Sequence, residues 1–148
     1  MAKTLIKGGT IISMDRRTGD FAKGDVLIDG DKIVKIGKSL RSSGAKVIDA
    51  KDMIVMPGFV NAHIHTWQTG IRGVAGNWSI PEYLNEMHAR IAPRYTAHDT
   101  YLANLVGALN QISLGATTVF DWCHNNATPA HSDGGVRGLK ESGIRAVF

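Results

Sequence analysis

The sequence lacks several features that would assign it directly to a class of protein, such as a disulfide-rich, membrane or secreted protein. Its 148 residues include a single cysteine, Cys123, and a lone thiol supports neither a disulfide framework nor a cysteine-based zinc knuckle. No apolar run approaches the roughly 18 residues of a membrane-spanning helix. The N-terminus MAKTLIKGGT also lacks the apolar core of a signal peptide. The expected location is therefore the cytoplasm, without a membrane partner.

A strong charge of either sign is missing as well. The 17 Lys and Arg residues against 13 Asp and Glu residues give a net charge of +4. The basic residues are scattered rather than grouped in a block, so nucleic-acid binding is not predicted. Hydrophobic residues make up 43% of the chain and charged residues 20%, which is an ordinary globular balance.

Residues 1–56 have the pattern of short β-strands. Gly8-Gly9 separates two strand candidates, and VLIDGDKIVKIG alternates apolar residues around an Asp-Gly turn, as in a hairpin. Further short candidates are residues 47–48 and 53–56, and no helix is predicted before residue 79. This pattern predicts a small antiparallel sheet or β-sandwich.

Residues 57–148 alternate strands with helices. A buried strand is predicted at 59–62, followed by a helix at 83–91 behind the capping box Ser79-x-x-Glu82. A second helix follows Thr96-x-x-Asp99, and ATTVFDW is β-branched and aromatic, as in a strand. Residues 133–142 predict a shorter helix that Gly143 ends, and IRAVF begins a third strand.

This β-α-β-α-β order predicts parallel crossovers and an α/β class. Three parallel strands alone would leave exposed edges, so we expect a part of a longer protein that opens a (β/α) barrel. The alternative is a compact α+β domain of 148 residues.

His63 and His65 follow the first strand of this repeat. Side chains two residues apart in an extended chain point to the same face, so the two imidazoles could share one metal ion. The ends of barrel strands are also where barrel enzymes gather their active sites. The alternative is a pair of ordinary polar residues where a strand meets a loop.

The stretch VMPGFVNAHIHTWQTGIRG resembles the first barrel strand of the amidohydrolase superfamily, in the branch of cytosine and guanine deaminases and triazine hydrolases. GDVLIDGDKIVKIG and VIDAKDMIVMPG are similar to that family's N-terminal β-sandwich strands, and SLGATTVFDW resembles its second barrel strand. The resemblance implies a β-sandwich at 1–56 and the first, incomplete part of a metal-dependent (β/α)8 barrel at 57–148.

The resemblance also implies roles for individual residues. His63 and His65 become ligands of a divalent metal, zinc first and iron as an alternative, and Gln68 faces a small heterocyclic substrate. His124, at the end of the second strand, is a further candidate for substrate contact. The acid and base residues, together with the remaining ligands, are expected beyond Phe148, and homo-oligomerisation stays open.

The implied reaction is hydrolysis of a carbon–nitrogen bond other than a peptide bond. Deamination of an amino-substituted purine, pyrimidine, pterin or triazine by metal-activated water is the first expectation. The alternatives are a ring-amide hydrolase or dechlorinase of the same superfamily, and a truncated, non-catalytic fragment or binding module.

Other candidates have weaker patterns. Asp121 and Cys123 follow the second strand and are expected at the barrel mouth, but Cys123 lacks an obvious activating neighbour besides His124. We expect the tryptophans Trp67 and Trp78 to pack. The remaining histidines are expected at the surface: His88, His98 and His131.

Overall fold

The computed structural model describes residues 2–148, which form two compact units. The first unit ends at Pro57, and the second comprises Gly58–Phe148. Both contain β-sheet and the second adds helices, so the predicted α/β class is confirmed. Within residues 2–148, no helix combines the length and the apolar character needed to cross a membrane.

The first unit contains a five-stranded mixed sheet. Its strands are β1 Lys3–Ile11, β2 Phe21–Asp29, β3 Lys32–Gly37, β4 Lys46–Asp49 and β5 Ile54–Val55. The pairs β1–β2 and β2–β3 are antiparallel, but β4 and β5 both run parallel to β1. The expectation of an antiparallel sheet is therefore wrong for these two strands. The segment after β3 is not a tight turn; it crosses the sheet, and a crossover returns the next strand in the parallel direction.

One strand replaces the two that were predicted around Gly8-Gly9. Gly8 has φ +82°, and the pairing with β2 shifts register between Lys7 and Gly9, which is a β-bulge. The buried Asp25 carboxylate accepts hydrogen bonds from the Gly8 N–H at 2.8 Å and the Leu40 N–H at 2.7 Å. The chain therefore bends at the bulge without interrupting the strand.

The second unit is built on a three-stranded parallel sheet in the order β6-β7-β8. Its strands are β6 Phe59–Ile64, β7 Ala116–Asp121 and β8 Arg145–Val147. The strand at 59–62 was expected to be buried, but Phe59 is 59% exposed and Val60 is 67% exposed. The prediction is wrong because these two side chains, which point to opposite faces of β6, are left largely uncovered by the described elements.

Four helical regions connect these strands in the described part of the chain. α1 Ile80–Tyr83 continues as a π-helix, Leu84–Ile91, and a 3-10 turn, Ala92–Arg94. α2 is Ala97–Ser113, and both predicted capping boxes are present in front of α1 and α2. α3, Pro129–Ser142, begins earlier than residue 133 because Pro129 suits the first helical position. A 3-10 helix at Thr66–Ile71 corrects the expectation of no helix before residue 79.

α2 and α3 pack closely through glycine. A Cβ atom at Gly134 would lie 2.5 Å from the Ala97 carbonyl oxygen, and one at Gly138 would lie 2.5 Å from the Tyr101 carbonyl oxygen. Both distances are far below van der Waals contact, so only glycine permits this approach. These glycines weakened the helix pattern in the sequence, yet they are what brings α3 against α2.

Two hydrophobic clusters hold the second unit together. One lies between sheet and helices and consists of Ala108, Val119, Leu139 and Ile144, with Ile64 packed against it. The other is built on the fully buried Trp67 with Met87 and Ala92, and Trp78 packs against it. Both tryptophans therefore pack, as expected.

Candidate metal and substrate site

The two histidines of the predicted pair lie together where β6 ends. His63 belongs to the strand and His65 directly follows it, so their side chains share one face. Their Nε2 atoms are 3.4 Å apart, and the ring planes are nearly perpendicular. The two ring nitrogens therefore lie side by side.

A hydrogen bond to the backbone fixes the tautomer of His65. Its Nδ1 lies 2.7 Å from the carbonyl oxygen of Trp122, which follows β7. A carbonyl oxygen only accepts, so Nδ1 carries the hydrogen and donates it. The lone pair of a neutral His65 ring is then on Nε2, on the side of His63, as a metal ligand requires.

The spacing of the pair fits a tetrahedral ion. Zinc–nitrogen bonds of about 2.0–2.1 Å at a tetrahedral angle separate two ligand nitrogens by about 3.3 Å. The observed Nε2–Nε2 distance of 3.4 Å matches this separation. Residues 2–148 contain no group of three or more His, Cys, Asp or Glu side chains arranged to hold a metal. The described part of the chain therefore brings two candidate nitrogen ligands together.

A buried polar network anchors the segment that follows His65. The Thr66 N–H donates to the Asp121 carboxylate at 3.1 Å, and the Asn104 side-chain amide donates to it at 2.9 Å. Burial raises the pKa of Asp121, and the hydrogen bonds from Thr66 and Asn104 oppose this effect. Asp121 was expected at the mouth of the barrel, but it is only 2% exposed and is held inward by these donors.

Gln68 lies beside the histidine pair. It lines an open cavity of about 620 Å³ together with His63, His65 and Arg72. Its side-chain NH2 donates to the Tyr83 hydroxyl at 2.6 Å, which sets the orientation of the amide. Sequence reasoning did not single out Arg72, because one arginine in a loop carries no pattern.

His124 also reaches the pair, from the segment after β7. Its ring centroid is 4.1 Å from that of His65, and its Nδ1 accepts a hydrogen bond from the Trp67 indole N–H at 3.1 Å. Burial, and then the nearby rings of His65, His88 and His63, lower the pKa of His124 to about 4. The ring is therefore neutral at physiological pH.

His88 was expected at the surface but faces this cluster. Its ring centroid lies 4.4 Å from that of His124 and 5.0 Å from that of Tyr83. Burial, followed by the charge of His65, lowers the pKa of His88. His88 belongs to the π-helix Leu84–Ile91, whose wider turn changes the direction of side chains relative to an α-helix. The sequence gives no sign of this turn.

The remaining candidates lie elsewhere or are inert. His98 is exposed, as expected. His131 is half-buried between the Thr128 hydroxyl, at 2.8 Å, and the Tyr95 carbonyl oxygen, at 3.0 Å, so the expectation of a surface histidine is wrong. Burial raises the pKa of Cys123 to about 11, which keeps it a thiol.

Comparison with known proteins gives relatives at both the sequence and the structure level. No family model matches the chain. The 5'-deoxyadenosine deaminase of Methanosarcina mazei is 35% identical over 146 residues, which cover 99% of this chain and 32% of the relative. The 5-methylthioadenosine/S-adenosylhomocysteine deaminase of Caldicellulosiruptor saccharolyticus is 35% identical over 149 residues, covering 97% and 33%.

A solved structure also resembles this chain in its fold. A mutant of the atrazine chlorohydrolase TrzN from Arthrobacter aurescens, complexed with zinc and atraton, matches with a TM-score of 0.87 and 26% identity. The match covers 97% of this chain and 34% of that one. The resemblance to the amidohydrolase superfamily is confirmed. The chain spans about a third of the length of the curated relatives it matches, in their N-terminal part.

Proposed function

We propose that this chain supplies the first two metal ligands of a hydrolase that deaminates an amino-substituted heterocycle. The observation that carries the proposal is the His63–His65 pair, whose Nε2 atoms lie 3.4 Å apart with the His65 tautomer fixed by Trp122. The deaminase names of the two sequence relatives support the reaction type. The zinc complex of the structural neighbour supports zinc as the ion, and iron is the alternative.

We further propose that residues 1–56 belong to a β-sandwich and residues 57–148 to the opening of a (β/α)8 barrel in a cytoplasmic enzyme. The parallel order β6-β7-β8 with helical crossovers is how such a barrel begins. The uncovered faces of Phe59 and Val60 would pack inside or around a complete barrel. The acid and base carboxylates and the remaining ligands are then expected on later strands.

The proposed chemistry replaces an amino group by oxygen. His63 and His65 would hold a divalent ion, which when bound would lower the pKa of a water molecule and so provide a nucleophile at neutral pH. The oxygen of water bonds to the ring carbon, and the bond from that carbon to the amino nitrogen breaks. One proton of the water goes to the departing nitrogen, which leaves as ammonia, and the other stays with the product. The substrate is of purine, pyrimidine, pterin or triazine type.

Two side chains of this chain are proposed to orient that substrate. Gln68 keeps its amide carbonyl toward the cavity because its NH2 group is held by Tyr83 at 2.6 Å. His124 presents a neutral ring beside His65. Both groups form neutral hydrogen bonds, which suit the edge of an uncharged heterocycle.

The test is the double variant His63→Ala, His65→Ala in the full natural protein. Elemental analysis measures bound metal, and an ammonia assay over a panel of aminated heterocycles measures turnover. We expect loss of metal together with loss of ammonia release. His98→Ala is the matched control, since it removes an exposed imidazole of α2. Retained metal and retained ammonia release in the double variant would refute the proposal.

Dechlorination is the second candidate, because the structural neighbour is an atrazine chlorohydrolase. The same panel, extended to chlorinated triazines, separates the two reactions by their leaving groups. Release of chloride without ammonia favours dechlorination. An intact metal site without either product favours a ring-amide hydrolase or a binding module.

A further inference from the structure

Trp67 makes a contact that packing alone does not require. It is fully buried in the cluster with Met87 and Ala92, and its indole N–H, its one polar group, donates to the His124 Nδ1 at 3.1 Å. A buried indole N–H needs an acceptor, and here the acceptor is a ring at the edge of the metal and substrate site. The contact joins residues 57 positions apart in the chain.

This hydrogen bond determines which nitrogen of His124 carries the hydrogen. An indole N–H can only donate, so the Nδ1 of His124 must be the unprotonated nitrogen. In a neutral imidazole the hydrogen is then on Nε2. His65 has the opposite tautomer, with its hydrogen on Nδ1, because that nitrogen donates to the Trp122 carbonyl oxygen at 2.7 Å. Two neighbouring rings thus hold opposite tautomers, one suited to donate a lone pair and the other a hydrogen.

We propose that Trp67 is a positioning residue that locks His124 as a hydrogen-bond donor to the substrate. The Nε2–H of His124 then recognises a heterocycle that carries an unprotonated ring nitrogen at that position. An analogue with a C–H group there would offer no acceptor. This inference rests on the proposed function only in requiring that a heterocycle binds over the histidine pair.

The surroundings of His124 favour this role over a third metal ligand. Its Nδ1 lone pair is already engaged by Trp67, and Nε2 carries the hydrogen, so neither nitrogen of the locked ring is free to coordinate. The His65 and His88 rings lie against it at centroid distances of 4.1 and 4.4 Å and restrict its rotation. The His124 ring is therefore held in place before substrate binds.

The experiment compares the full natural protein with Trp67→Phe and with the control Trp78→Phe. Phenylalanine keeps an aromatic ring in the same cluster but removes the indole N–H, and Trp78 belongs to that cluster without bonding His124. Two-dimensional ¹H–¹⁵N spectra of the imidazole groups report the tautomer of His124. We expect the Nε2–H form in the unaltered protein and in Trp78→Phe, and a mixture of both tautomers in Trp67→Phe.

Steady-state kinetics of the same variants provide a second, independent test. We expect Trp67→Phe to lower kcat/KM about tenfold for a substrate with the ring nitrogen, the scale of one neutral hydrogen bond, and to leave that of its C–H analogue unchanged. Bound metal should stay as in the unaltered protein. A purely structural role would instead lower kcat/KM equally for both compounds.

An equal loss of kcat/KM for both compounds overturns the proposal. So does an Nδ1–H tautomer of His124 in the unaltered protein, or an unchanged tautomer in Trp67→Phe. The spectrum of the unaltered protein shows which tautomer His124 adopts there, even if Trp67→Phe does not fold. If only the proposed deamination is wrong, ammonia release will be absent, but the tautomer of His124 will still change in Trp67→Phe.

Discussion

The Asp121 carboxylate and the Thr66 backbone N–H form a buried hydrogen bond of 3.1 Å, which ties the end of β7 to the residue after His65. The second oxygen of the same carboxylate accepts from Asn104 on α2 at 2.9 Å. One buried side chain therefore connects a strand, a helix and the loop that carries a proposed ligand.

Replacing this carboxylate should cost both stability and metal affinity. In Asp121→Asn, one of the two donors faces an NH2 group instead of an oxygen, and an unsatisfied buried donor costs about 1–3 kcal/mol. We expect a lower midpoint of urea unfolding and weaker metal binding by titration. Asp133→Asn, at an exposed aspartate of α3, should change stability by less than about 0.5 kcal/mol. Equal stabilities of the two variants would contradict this account.

Gly107 of α2 is where the helix touches the 3-10 helix behind the histidines. A Cβ atom there would lie 2.5 Å from the Thr69 hydroxyl and 2.7 Å from the Thr66 Cγ2. Gly107→Ala should therefore destabilise the protein by about 1–3 kcal/mol, as overpacking does, and displace the 3-10 helix. Thermal unfolding measures the effect. Gly76→Ala is the control, because the nearest atom to a Cβ there would be 3.7 Å away. An equal loss of stability in Gly76→Ala would argue against steric contact at Gly107.

Cys123 should react slowly with thiol reagents in the folded protein. Its pKa is raised to about 11 by burial, so only about 0.1% of it is thiolate at pH 8, against about 9–24% for an ordinary cysteine. Ellman's reagent should modify it slowly in buffer and promptly in guanidinium chloride. Rapid modification of the folded protein would restore Cys123 as a candidate nucleophile.

The capping box of α2 predicts a pH dependence of stability. Hydrogen bonds from the Thr96 N–H, and then from its hydroxyl, lower the pKa of Asp99 below its ordinary 3.8. A carboxylate with a lowered folded pKa stabilises the protein above its unfolded value, and this stabilisation is lost as pH falls through the folded value. Asp99→Asn should therefore reduce the loss of stability in acid below about pH 4.

Urea unfolding between pH 2 and pH 7 measures this dependence. Thr96→Ala removes the hydroxyl's hydrogen bonds with Asp99 but keeps the backbone N–H as a donor, and it should cost about 1 kcal/mol at neutral pH. An acid profile of Asp99→Asn that coincides with the unaltered protein would show that the box contributes nothing to stability.

The features that could be predicted from the sequence are local ones. The two capping boxes depend on residues three positions apart, and the histidine pair depends on residues two apart in a strand. Such patterns determine geometry by themselves because backbone dihedrals link close neighbours. Gly143, with φ +80°, ends α3 for the same reason.

The features that sequence reasoning missed depend on distant partners. β4 and β5 run parallel to β1 because of a crossover, and short alternating strands look the same in either direction. His88 faces the site because it lies in a π-helical turn, and the spacing of apolar residues in the sequence does not predict such a turn. The hydrogen bond between Trp67 and His124 joins the 3-10 helix after β6 to the segment after β7, and only the pairing of the two strands brings these together.

The contact between Gly134 or Gly138 and the α2 backbone has a consequence for tolerance to substitution. Where two helices meet through their main chains, the distance between them depends little on side-chain identity. The outward faces of α2 and α3 can change freely while β7 and β8 keep their spacing. Substitutions at either glycine, in contrast, would push the two helices apart and shift the strands that carry the proposed site.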